Sequence, residues 1–195
     1  MRKTLPLFFI LCIGVSWGTV DLNITAGSGS MSSGDEYRVV SVYNSALFDV
    51  SGGIADSIFS YNTSTVDLSG GDIDTLVSFN LSTVTISGGS YTAIQATANS
   101  TIYLYRTDND PTLTYTDNGT IHIYGHNVQF TRAGGNAESG WLSGSWTVGG
   151  ESFYLYLRNL PESFDSSNIV IHEMPEPATL ILIASGLLFV KRTTK

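Results

Sequence analysis

Between residues 40 and 104 apolar and polar positions alternate in short runs, and the runs recur every eighteen residues. Phe48, Val66, Val84 and Ile102 form one apolar column; Val50, Leu68, Ile86 and Leu104 form a second; Val40, Ile58, Leu76 and Ile94 form a third. A fourth column is smaller, with Val42, Ser60, Ser78 and Ala96. Within one repeat, Thr83-Val84-Thr85-Ile86-Ser87 has the two-residue period of a strand and not the 3.6-residue period of a helix.

The punctuation has the same period. Ser51-Gly52-Gly53, Ser69-Gly70-Gly71 and Ser87-Gly88-Gly89 mark one turn, and Ser33-Gly34 continues the series upstream. Asn44, Asn62 and Asn80 mark the other turn. A period of eighteen holding two short strands is too short for a helix pair and too regular for a sandwich. It predicts an all-β fold, a β-solenoid (β-helix) of about five coils of 18–19 residues, each stacked on the last at about 4.8 Å. Asn99 and Asn118 are nineteen apart, as are Thr101 and Thr120, and Ile102/Leu104 return as Ile121/Ile123. One coil has therefore gained a residue, which predicts a bulge or loop at 108–111.

After Gly125 the period stops. Short strands are expected over 127–130, 141–148, 153–157 and 169–171, separated by turns at Gly134-Gly135, Gly149-Gly150 and Pro161-Glu162. A solenoid's open end is an exposed edge, so this region is expected to cap it. Trp141 and Trp146 fall here, and an additional reading sets their rings against a carbohydrate.

Both termini carry a different pattern. Arg2 and Lys3, an apolar run over 5–15, and the small residues Ser16 and Gly18 read as a signal peptide over 1–18, cleaved after Gly18 by signal peptidase. At the other end an uncharged apolar run over 178–190 follows Pro175-Glu176-Pro177 and precedes Lys191-Arg192. As a helix the run spans roughly 20 Å, short of a ~30 Å hydrocarbon core, so the flanking Lys and Arg must snorkel for it to span. The plain alternative is an anchor that stays attached.

Triplet, apolar helix and basic end together resemble the PEP-CTERM sorting signal, a bacterial tail recognised by the membrane transpeptidase exosortase. The resemblance implies that Pro175, Glu176 and Pro177 are the sorting motif and that processing near Pro175 removes the apolar helix. Ser64-Thr65-Val66-Asp67-Leu68-Ser69-Gly70-Gly71 and Ser82-Thr83-Val84-Thr85-Ile86-Ser87-Gly88-Gly89 are similar to coils of PEP-CTERM surface proteins. Ile121-His122-Ile123-Tyr124-Gly125 resembles the junction that ends such arrays. The expected organisation is a signal peptide over 1–18, the solenoid over 19–125, a β cap over 126–172 and the sorting tail over 173–195.

Charge narrows the partners. With the segments over 1–18 and 173–195 set aside, the body keeps Arg38, Arg106, Arg132 and Arg158 against fifteen acids, a net charge of −11 with no lysine. Such a surface repels phosphate backbones and anionic lipid, which excludes nucleic acid as a natural partner. The single cysteine, Cys12, lies in the signal peptide, so no disulfide holds the exported body.

Candidate chemistry is sparse. No base and arginine recur together, as cleavage of an acidic polysaccharide would need, so no catalytic residue is assigned. Asp72 and Asp74 occur in one coil only and read as solvated turn acids. His122 and His126 have helical spacing on a strand, a poor arrangement for a metal, and no metal or cofactor is expected. Asn-x-Ser/Thr sequons start at Asn23, Asn62, Asn80, Asn99 and Asn118; their lock to the repeat reads first as turn composition and second as glycosylation. Thr83-x-Thr85 is not matched at both places in neighbouring coils, which discounts a flat ice-binding array.

The expectation is an exported, non-enzymatic surface or extracellular-matrix protein, processed by exosortase, anchored transiently in the membrane through its C-terminal helix and associated with exopolysaccharide or biofilm. The alternative is a carbohydrate-binding or polysaccharide-modifying β-helix module.

Overall fold

The structure, a computed structural model, describes residues 20–133, 139–158 and 168–174. All the regular elements in them are strands, and the repeat is a β-solenoid. Each coil contributes one strand to each of two parallel stacks. The first stack runs β1 (Val20–Ile24), β3 (Glu36–Val42), β5 (Ile54–Ser60), β7 (Asp72–Ser78), β9 (Ser90–Thr97) and β11 (Thr112–Thr116). The second runs β2 (Ser28–Met31), β4 (Leu47–Val50), β6 (Thr65–Leu68), β8 (Thr83–Ile86), β10 (Thr101–Leu104) and β12 (Thr120–Arg132).

These strands make six coils, against the about five expected from the repeat. The additional coil is the first, where the sequence hides its period. Gly29 occupies the place of Phe48 in the next coil, and a Cβ there would sit 2.6 Å from Ile24 Cδ1. Ile24 fills from the facing strand the space that the missing side chain leaves.

The four columns all point inward and are buried from coil to coil, with Ile121 and Ile123 extending two of them. Ser60 and Ser78 are tolerated inside because each has a partner. Ser60 Oγ lies 2.8 Å from Ser64 Oγ, and Ser78 Oγ lies 2.7 Å from Ser82 Oγ. A further inward column, Ala55, Ile73 and Tyr91, lies three residues before Ile58, Leu76 and Ile94. Strict alternation would place Asp56 and Asp74 inside. Instead the ladder skips those residues, so each long strand bends there and turns its acid outward.

Both turns use positive φ. Gly53, Gly71 and Gly89 have φ of 89°, 98° and 94°, and Asn44, Asn62 and Asn80 have 58°, 60° and 59°. Asparagine is the side-chain-bearing residue that tolerates this region best. The three asparagines also stack: Asn62 Nδ2 donates to Asn44 Oδ1 at 3.3 Å, and Asn80 Nδ2 to Asn62 Oδ1 at 3.4 Å.

The nineteenth residue enters between β10 and β11, since Ile86 aligns with Leu104 but Ala93 aligns with Thr112. Asn109 splints the irregularity. Its Oδ1 accepts from Tyr91 N and its Nδ2 donates to Tyr91 O, both at 2.9 Å, so a side-chain amide satisfies the backbone of β9 where a strand would otherwise do so.

Strand β12 runs through Gly125 without a break. It continues into an antiparallel pairing with β13 (Ser139–Trp146), which pairs with β14 (Ser152–Arg158), which in turn pairs with β11. The two stacks are thereby joined across one end into a single sheet path that starts at β1 and finishes at β2. β15 (Ile169–Glu173) lies parallel on β12, as the next coil's strand would. Phe153, Leu155, Leu157 and Ile169 extend the buried interior into this end, so it closes the core.

The expected signal peptide over 1–18, the expected sorting motif Pro175, Glu176 and Pro177, and the apolar run over 178–190 lie outside the described residues. Among the described residues no helix is long and apolar enough to cross a membrane.

Candidate functional site

The interior of a coil is fixed by packing, so variation is free only on the outer faces. On the second stack two outward columns run in register. One is Leu47, Thr65, Thr83, Thr101 and Thr120; the other is Asp49, Asp67, Thr85, Tyr103 and His122. Threonines do align over four coils in the first column. The second changes chemistry along its length, from carboxylates to hydroxyl to aromatic rings, which breaks any uniform Thr-x-Thr array. A shallow groove of about 380 Å³ follows the acidic part, lined by Asp49, Asp67, Thr85 and the Ser51, Ser69 and Ser87 turns.

The aromatic end of this face is a run of stacked rings. Tyr103 stacks on His122 at 4.9 Å, Tyr105 on Tyr124 at 4.3 Å, and Tyr124 on His172 at 4.4 Å with ring planes 7° apart. His122 Nδ1 and His172 Nε2 are 2.8 Å apart. Hydrogen bonding at that distance requires one ring to donate and the other to accept, so at least one of the two is neutral. Burial, then the neighbouring His172, holds the His122 imidazole below its ordinary pKa. Burial pushes the Tyr124 phenol upward, with a smaller contribution from its bond to Tyr105. The pair supplies two nitrogens, and among the described residues no group of three metal-ligating side chains exists. His126, set beside His122 in the sequence reading, is held elsewhere: its Nδ1 meets the carbonyl of Met174.

A second stack, of the half-buried Tyr43, Tyr61 and Phe79, has centroid spacings of 4.8 and 4.9 Å. Its eighteen-residue spacing is visible in the sequence. His172 had no such signal, because β15 stands outside the repeat.

The two tryptophans part company. Trp146 is only 2% exposed and packs on Phe153 at 4.3 Å, so its ring belongs to the core and offers no face to a sugar. Its sequence assignment as a carbohydrate contact is corrected on that ground. Trp141 is partly exposed, stacked on Tyr154 at 4.7 Å and 12°, with Tyr156 tilted against it at 4.7 Å. Tyr154 is itself 50% exposed.

Near this pair, between the last coils and the cap, opens a cleft of about 580 Å³ lined by Arg106, Asp108, Asn109, Asp110, Glu151 and an edge of Trp146. Arg106 lies between two carboxylates, 3.2 Å from Asp108 and 3.1 Å from Glu151. Its Nε faces Glu151 without an aligned hydrogen bond, so charge and not geometry makes that contact. Asp110 Oδ1 accepts from Tyr154 N at 2.8 Å, tying the cleft wall to the aromatic pair. Asp72 and Asp74 stand exposed on β7, consistent in exposure with solvated acids.

No family model, curated protein or solved structure matches the chain.

Proposed function

We propose that the chain is an exported surface or extracellular-matrix protein whose solenoid is a rigid display scaffold, routed by the signal peptide over 1–18 and the sorting motif Pro175, Glu176 and Pro177, and associated with exopolysaccharide. The observation that carries the reading is the second stack's outer face. Parallel stacking repeats side chains at about 4.8 Å, giving an extended polar and aromatic surface suited to a polymer lying across several coils. An active-site hollow would instead need an acid, a base and an oxyanion donor to converge. The acidic groove favours neutral or cation-bridged glycans over free polyanions.

Sorting is tested by expressing the full chain in a host with exosortase. The processed protein should end near Pro175, and an intact C-terminus by mass spectrometry would sink the claim. Binding is tested on a glycan array with the same processed protein.

A second reading, a carbohydrate-binding or polysaccharide-modifying module, is favoured by Trp141 and Tyr154 beside the 580 Å³ cleft. In that case Trp141→Ala abolishes selective glycan binding while Tyr103→Ala leaves it. The reverse result assigns binding to the stacked face.

A further inference from the structure

The sheet path closes at one end through β13 and opens at the other, where among the described residues β1 and β2 each have a single partner. Edge strands in soluble proteins are usually blunted by lysine, proline, a bulge or a covering segment. β1 reads Val-Asp-Leu-Asn-Ile and β2 reads Ser-Gly-Ser-Met, with no lysine or proline in either. Their one charge, Asp21, is neutralised by Arg38 of β3, to which it is hydrogen bonded. If the signal peptide leaves after Gly18, Thr19 alone precedes β1.

The direction of the unpaired groups follows from the pairing on the other side. Tyr43 N donates to the Ile24 carbonyl, so Ile24 and, two residues back, Leu22 turn their backbone groups toward β3. Asp21 and Asn23 therefore turn theirs toward the open edge. In β2, Leu47 N bonds Gly27 O and Ser51 N bonds Met31 O, which leaves Ser28 and Ser30 facing the edge.

We propose that this open end docks against the same end of a second copy, forming a two-fold dimer in which β1 pairs antiparallel with its own copy. Centred on Leu22, the pairing sets Asp21 of each chain opposite Asn23 of the other, so each exchanges both backbone hydrogen bonds and the two aspartates do not face each other. Leu22 meets its counterpart at the centre and carries the inward column from one solenoid into the next. β2 pairs with its own copy in the same way, with Ser28 opposite Ser30. Self-pairing is favoured over an unrelated strand because the edge is complementary to itself in charge and in hydrogen-bond order. Closure of the other end by the cap stops the assembly at two chains.

The proposal rests on removal of the signal peptide, so the N-terminus of the exported protein is read by mass spectrometry before its oligomeric state is measured. In sedimentation velocity over a broad concentration series the protein starting at Thr19 should double in mass. Asn23→Pro and Ser30→Pro each delete an edge-facing N–H that no described residue uses, and proline is tolerated on an edge. Each should shift the equilibrium to monomer, with circular dichroism and melting showing that the coils remain. Ser28→Ala, which keeps every backbone group, should dimerise as the parent does and guards against a folding artefact. A protein starting at Thr19 that stays monomeric throughout overturns the proposal, as does a dimer that survives both proline variants or an open-ended polymer.

Discussion

Replacing Asn44, Asn62 and Asn80 together by alanine, and separately by glycine, isolates what the turn asparagines contribute. Both sets remove the Asn62–Asn44 and Asn80–Asn62 bonds, which are long and exposed and are worth about 0.5 kcal/mol each. They also share loss of the Asn44 amide's bond to Thr25 O. The sets differ in the backbone. At φ near 60° alanine carries a left-handed cost of roughly 1–2 kcal/mol per residue, whereas glycine carries none but loses about 0.5–1 kcal/mol of chain entropy. The difference is about 0.5–1 kcal/mol per turn in favour of glycine, or roughly 1.5–3 kcal/mol over three turns. In a body of this size each kcal/mol moves Tm by about 2–4 °C. Melts followed by β-sheet circular dichroism should therefore rank parent above triple glycine above triple alanine, with a glycine-to-alanine gap of several degrees. A triple-alanine protein that melts with or above the triple glycine would refute the argument that backbone conformation selects asparagine here.

Further outcomes follow from other parts of the fold. Leu76→Ala opens a cavity in a fully buried column and should cost about 2–5 kcal/mol in urea denaturation. Asn109→Ala strips two bonds from the backbone of buried Tyr91 and should cost about 1–3 kcal/mol, with faster amide exchange at Tyr91. His122 has its folded pKa below the unfolded value of about 6.5. Between the two values the unfolded chain binds more protons, so this group's contribution is complete above pH 6.5 and is lost as pH falls through the unfolded and then the folded value. Amide exchange in β15 should accelerate over that window in the parent and not in His122→Phe; equal acceleration in both would remove the histidine pair as the cause.

The columns headed by Phe48, Val50 and Val40 were legible because a parallel solenoid sets equivalent residues of successive coils side by side, and sequence period becomes spatial register. The column of Ala55, Ile73 and Tyr91 was not, since a bend at Asp56 and Asp74 shifts the inward parity by one and alternation counted back from Ile58 points to the wrong residue. Coil one was hidden by Gly29, whose space is filled by Ile24. The strands of the cap could be read individually from their turns, while their order could not. That order depends on β12 continuing past Gly125 to cross between the stacks. Trp146 shows the limit of residue type as a guide: the same sequence neighbourhood places one tryptophan at the surface and the other in the core.

The splint at Asn109 bears on how such an array changes length. A duplication of eighteen residues inserts one more coil, adds about 4.8 Å to the stack and leaves both ends unaltered. An insertion of one residue breaks the register of every rung beyond it unless a side chain stands in for the displaced peptide. By carrying both a donor and an acceptor, Asn109 turns a frameshift in space into a local kink. Growth of this protein by whole coils is thus nearly free of structural consequence, whereas growth by single residues is confined to places where an amide side chain can imitate the backbone.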